Sequence, residues 1–247
     1  MPEPDMKELV RQAPFSFVGK IEHLGAATSS DLPIDDRTAV AMVEWVLHAP
    51  PAFEQLAGQR ITVQFSPDLD LPEVDSQLAI FAEGLAFGET IAVAEVGRAP
   101  VETVVPYIRE NEDAGPARAF ATIERELRDE ALRDHAEDAA AVVVGTVVGL
   151  EVAGTPGGSE HDPLWWRATI DVSQVVRGRT KRGALGVLYP SSFDIEWAQV
   201  PKPAPAENAL WILHRTPKEL AGLGRYQLLH PEDRQPVEMM TSIRRRG

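Results

Sequence analysis

The chain reads as one pattern written twice. Residues 15–102 run through Phe15, Phe17-Val18-Gly19-Lys20-Ile21, Ala39 to Val46, Ile61 to Phe65 and Leu78 to Phe81, and close on Arg98, Pro100, Val101 and Glu102. From Val142 the order returns as Val143-Val144-Gly145-Thr146-Val147, Ala168 to Val176, Val187-Leu188-Tyr189-Pro190 and Ala209 to Leu213, closing on Arg234, Pro236, Val237 and Glu238. Val18-Gly19 answers to Val144-Gly145 and Pro100 to Pro236, so the copies differ in loop length alone. Repetition decides how many cores a chain builds. Each copy, at roughly 100 to 120 residues, is long enough to bury a core of its own.

Within a copy the dominant signal is the strand. Five runs rich in Val, Ile, Leu and aromatics are expected in the first, Phe15 to Leu24, Thr38 to His48, Arg60 to Phe65, Gln77 to Ala82 and Thr90 to Val96. The second has Val142 to Glu151, Trp165 to Val176, Ala184 to Tyr189, Asn208 to His214 and Arg225 to His230. Gly, Pro, Ser and Asp punctuate them. Short helical patterns precede each copy: Met6, Leu9 and Val10 before the first, and Phe120, Ile123, Leu127 and Leu132 amid charges at about residues 117–137 before the second. Five short strands per copy favour a closed barrel, which leaves no sheet edge exposed. The expected fold is therefore mainly β with α, two tandem five-stranded OB-like barrels joined by a charged helix. The expected division is 1–105, a helical linker 106–139, and 140–247.

The run Ala141 to Val147, a strand ending at Val176-Arg177-Gly178, Gly183 and Val187, and Ala209-Leu210-Trp211-Ile212-Leu213 resemble the netrin and tissue-inhibitor-of-metalloproteinase-like modules. The resemblance covers almost all of the second copy and implies an OB-type barrel. Those metalloproteinase inhibitors act through an N-terminal cysteine. This chain has no cysteine at all, so the resemblance does not carry that activity over.

Composition excludes more than it selects. The absence of cysteine removes disulfide frameworks and thiolate zinc sites. The longest apolar stretch, Ala139 to Leu150, is too short to cross a bilayer. No basic region followed by an apolar run opens the chain, and the expectation is a cytoplasmic protein. The net charge is −14 and unevenly spread: 6 basic and 17 acidic residues in 1–105, 5 and 10 in 106–139, and 13 and 11 in 140–247. So acidic a first copy disfavours nucleic acid and anionic membrane as partners, and favours a protein. A second copy of the chain is one such partner.

Among candidate site residues, Arg177, Arg179, Lys181 and Arg182 form a basic turn. With Trp165, Trp166 and Tyr189 on neighbouring strands, they supply the residue types by which OB surfaces stack bases and grip phosphates. Single-stranded nucleic-acid binding is accordingly an alternative. Trp165 and Trp166 point to opposite faces of a strand, so one is left outside the barrel. Trp197 falls in a Pro-rich loop, and tryptophan with arginine is typical of binding hot spots. The partner surface is thus expected at Trp165, Trp166, Trp197 and the basic turn. Asp68, Asp70, Glu73 and Asp75 crowd one loop without the spacing of a calcium loop. Glu160-His161-Asp162, with His214 and His230 ending nearby strands, is the one place suited to a metal-dependent enzyme. No nucleophile motif or phosphate-cradling loop accompanies it, and neither catalysis nor a cofactor is expected.

Overall fold

The computed structural model describes residues 5–87, 90–114, 117–154, 163–192 and 194–244. The chain divides into two compact units, Met1–Leu127 and Arg128–Gly247.

In the first unit a short helix α1 (Met6–Gln12), capped by the Asp5 carboxylate on the Lys7 and Glu8 amides, leads into β1 (Phe15–Leu24). The sheet continues with β2 (Thr38–His48), β3 (Arg60–Gln64), β4 (Gln77–Phe87) and β5 (Thr90–Pro100). These close into a barrel in the order β1-β2-β3-β5-β4. All pairs are antiparallel except β3 with β5, which run parallel through Val63 and Val93. That is the ring of an OB-type barrel. Alternation puts Phe17, Ile21, Ala39, Ala41, Val43, Ile61, Val63, Ile80 and Val93 inside, all but dry.

Two helices complete the unit's outer layer. Helix α2 (Val101–Glu110) follows β5 directly and carries Pro106 in its interior. Helix α3 (Ala121–Asp138) begins just after Phe120. Met6, Val10, Phe81, Val104, Phe120 and Ile123 pack together on the outside of the β1/β4 side, with Phe120 against both Phe81 and Tyr107 at ring separations of 5.6 Å.

The second unit repeats this design with β6 (Ala141–Gly154), β7 (Leu164–Gly178), β8 (Gly183–Ser191), a one-turn α4 (Ile195–Ala198), β9 (Asn208–Arg215), β10 (Tyr226–Gln227) and β11 (Arg234–Gln235). Helix α5 (Met240–Arg244) ends it. The strands follow the order β10-β8-β7-β6-β9-β11, and β10 pairs with β9 as well as with β8. The ring β6-β7-β8-β10-β9 is therefore closed, and again its one parallel seam lies between the third and last strands, through Val187 and Tyr226.

Irregularities repeat too. The β1–β2 ladder slips between Ser16 and Phe17, Val18 and Gly19, and Ile21 and His23; the β6–β7 ladder slips between Val142 and Val143, Val144 and Gly145, and Val147 and Gly149. Bulges are inherited features rather than accidents of packing, and three in the same places mark one unit used twice. The outer layer follows suit: Leu132, Ala136, Val144, Leu210, Ile212 and Met240 pack as Met6, Val10, Val18, Ala79, Phe81 and Val104 do in the first unit.

The copies part at their last strand. In the first, β5 runs unbroken from Thr90 to Pro100, with one bulge opposite Phe81 and Ala82. In the second, the bulge has grown into the loop Leu228–Asp233, which separates β10 from β11. The expected strand over Arg225 to His230 shrinks to two residues as a result. The segment read as a helical linker is not a free connector: Phe120, Ile123 and Leu127 belong to the core of the first unit, and Leu132 and Ala136 to that of the second. The two compact units divide inside α3, between Leu127 and Arg128.

Candidate functional site

The tryptophans expected to meet a partner are placed unequally. Trp166 faces the barrel interior beside Tyr189, at 6.5 Å between rings, and is half-buried. Trp165 faces outward, yet it is only 5% exposed because Leu188, Leu220 and Leu223 cover it. Its own chain supplies the cover that a partner was expected to supply. Trp197, half-buried within α4, meets Trp165 edge-on at 6.0 Å. Its backbone is held by Lys202, whose Nζ donates to the carbonyls of Pro190 and Trp197 at 2.6 and 2.8 Å; burial lowers the Lys202 pKa.

Arg179, Lys181 and Arg182 are exposed in the turn between β7 and β8, while Arg177 donates to the Ala136 carbonyl at 2.7 Å. Trp165 and Trp166 sit at the opposite end of β7, roughly 40 Å of strand away at ~3.3 Å per residue. The fold does not bring base-stacking and phosphate-gripping residues together there. In the acidic loop, Asp75 pairs with Lys20 at 2.8 Å, which lowers the Asp75 pKa and raises that of Lys20. Asp68, Asp70, Glu73 and Asp75 do not converge on a cation position among the described residues. Glu160, His161 and Asp162 lie outside the described residues.

Two features were not assembled from the sequence. The first is a cleft of about 560 Å³ in the first unit, walled by Trp45, Leu47, Ala57, Ile108 and Ala119, with Glu54 and Arg118 at its rim. Trp45 is 53% exposed, the most open large aromatic among the described residues. One wall forms where the end of β2 is met by the chain before α3, through the Ala119 amide on the Leu47 carbonyl at 2.9 Å. Glu124 fastens this join, with His48 Nδ1 2.7 Å and Arg118 Nη1 3.6 Å from its carboxylate. Ala117, beside the cleft, takes a left-handed backbone with φ of 56°. A non-glycine residue costs energy there and is held only where its surroundings demand it.

The second is a cluster of three histidines about Asp233 in the second unit. His135 comes from α3, His214 from β9, and His230 and Asp233 from the loop between β10 and β11. Asp233 is fully buried. One carboxylate oxygen receives Nε2 of His135 at 2.7 Å and Nε2 of His214 at 2.8 Å. The other accepts the amides of Leu229 at 2.6 Å and His230 at 2.9 Å. The three imidazole rings stand 5.2 Å apart in every pairing. Burial works to raise the Asp233 pKa, but the His214 hydrogen bond and the two amides outweigh it, so the carboxyl is held below its usual range. His214 and His230 are visible in the sequence as strand-end residues. His135, in a helix roughly 80 to 95 positions earlier, is joined to them only through the fold.

No protein-family model matches this chain, and no curated protein sequence matches it.

Proposed function

We propose that this protein is a non-catalytic binding module that holds a protein partner, with the cleft beside Trp45 receiving an apolar side chain of that partner. The observation that carries the reading is the half-exposed Trp45 indole on the wall of an apolar concavity. Large aromatics that stay open to solvent next to a pocket are the usual energetic centres of protein interfaces, and an apolar hollow with a few polar groups at its rim is the usual form of a recognition site. Glu54, Glu112 and Arg118 at the edge supply charges of both signs to orient a partner.

The second barrel offers a lesser surface of the same kind. Beyond the point where the ring closes, the inner face of the β6–β7 ribbon continues through Val152, 55% exposed, and Leu164, 37% exposed, flanking Trp166. The likeness to netrin-type modules belongs to this proposal at the level of the barrel, a fold that hosts many unrelated tasks.

The test is a photo-crosslinking residue introduced at Ala57, on the cleft wall, in the full-length chain within its native cell. A discrete adduct that disappears with Trp45→Ala and persists with Trp166→Ala supports the reading. Equal adducts in all three proteins, or none, would sink it. An adduct with a second copy of the same chain identifies self-association through this face.

A further inference from the structure

We propose that His135, His214 and Asp233 form a binding site for a single divalent transition-metal ion of the zinc class, with His230 walling it. Neutral imidazole nitrogens and a carboxylate oxygen are the ligand set such ions take. Here the three donor atoms converge to within 4.8 Å of one another. Zinc-to-ligand bonds of about 2.0 to 2.2 Å in a tetrahedral arrangement need donor atoms about 3.3 Å apart. The present separations of 2.7 and 2.8 Å from the Asp233 oxygen to each Nε2 must therefore widen by only about half an ångström to admit the ion.

The surroundings match what a metal site requires. Asp233 is held from behind by the Leu229 and His230 amides, so its second oxygen is occupied and its first is aimed at the histidines. A small opening of about 400 Å³ beside α3, with Arg128, Glu232 and Gln235 in its lining, meets the cluster at His135. Three protein ligands leave one position for water. The ion would join α3, β9 and the β10–β11 loop.

The sister copy provides an internal control. Arg234 pairs with Trp211 on β9 as Arg98 pairs with Ile80 on β4, so Asp233 occupies the place of Gly97. On the helix, Leu132 and Ala136 occupy the places of Met6 and Val10, so His135 stands where Leu9 does. In the first unit Leu9 covers Gly97 directly: a carbon added at Gly97 would lie 2.5 Å from the Leu9 Cδ2 methyl. The same barrel thus closes this corner with one leucine over a glycine. A buried carboxylate with its histidines is not needed for the fold and is dearer to bury than an apolar contact. The loop that carries His230 and Asp233 is also the one segment by which the second last strand departs from the first. Both departures serve the same cluster.

The experiment uses the full-length chain stripped with a chelator and titrated with Zn²⁺ by calorimetry and with Co²⁺ by visible absorption. One equivalent is expected to bind, with imidazole-type d–d bands for Co²⁺ and a rise in thermal midpoint that the chelator reverses. His214→Gln is expected to weaken binding by about a hundredfold or more, beyond the roughly 10- to 100-fold that loss of an outer-shell partner costs. The double variant His135→Leu with Asp233→Gly restores the sister copy's corner. It is expected to fold, by circular dichroism, and to bind no metal. Undiminished binding by the folded double variant would overturn the site. So would the absence of saturable binding to the unaltered chain, which would leave Asp233 a hydrogen-bonded hub alone. Neither result bears on the Trp45 cleft, which lies in the other unit.

Discussion

The paired bulge glycines allow a measured contrast between the two copies. Neither Gly19 nor Gly145 has a left-handed backbone, so what matters at each is the space a methyl group would fill. At Gly145 that carbon would lie 2.6 Å from Ile170 Cγ2, 2.7 Å from the Asp171 carbonyl oxygen and 3.1 Å from Val172 Cα. Two of the three are backbone atoms of β7, fixed by the ladder. At Gly19 the nearest atoms are Cε2 and Cδ2 of the Phe17 ring at 2.7 and 3.1 Å, with the Met42 carbonyl oxygen farther away at 3.3 Å. A ring edge turns aside more cheaply than a strand moves. Overpacking costs about 1 to 3 kcal/mol, while replacing glycine by alanine in extended chain returns about 0.5 to 1 kcal/mol through the unfolded state. Gly145→Ala should therefore destabilise by about 2 kcal/mol and Gly19→Ala by about 1 kcal/mol or less. Urea unfolding of the full chain followed by circular dichroism reads both. With a slope of about 1 to 3 kcal/mol per molar, the larger loss moves the midpoint by roughly 1 M. An equal or greater loss at Gly19 would refute the reasoning.

Trp211→Phe should cost about 1 to 3 kcal/mol, because it removes the indole N–H that donates to the Gly145 carbonyl at 3.0 Å and part of the volume of a fully buried side chain; a change within error in the same urea assay would discount the bond. Phe120→Ala, which empties the space between Phe81 and Tyr107, should cost about 3 to 5 kcal/mol, and an unchanged unfolding midpoint would show that the outer layer carries little. Burial raises the pKa of Glu95 against the pull of the Ser66 amide and the Arg98 and Arg37 guanidiniums. A carboxyl raised on folding contributes stability that is present below its unfolded pKa and lost as pH climbs through the folded value. Glu95→Gln should thus gain on the native chain as pH rises above the ordinary glutamate value of about 4.3, and a gap that narrows with rising pH contradicts the sign.

Much of the fold was legible because period-two alternation and turn chemistry are local. β1 and β2 begin and end where the apolar runs do, at Phe15 and Leu24 and at Thr38 and His48. Duplication then supplied what single strands cannot, the number of cores. Helix α2 was hidden by prolines at its start and in its interior, Pro100 and Pro106, which read as breakers although Val104, Tyr107 and Ile108 make an apolar face. The short β10 was hidden by an insertion that looks in sequence like a longer strand. The sites were less legible still. Exposure of Trp45 follows from which face of β2 the barrel buries, and burial of Trp165 follows from Leu220 and Leu223, more than fifty residues downstream. The histidine cluster depends on four positions from three elements, which no spacing rule links.

The parallel seam has a kinetic consequence. Each cylinder closes only when its last strand reaches its third, so neither ring is complete until its C-terminal end has been synthesised and has travelled across the sheet. Non-local pairing of this kind is slow to form. The first seam joins three residue pairs, from Thr62 with Ala92 to Gln64 with Ala94, and the second only two, Tyr226 with Val187 and Gln227 with Leu188. Amide hydrogens along β10 should therefore exchange sooner than those along the middle of β5, and the second cylinder should unzip from that line.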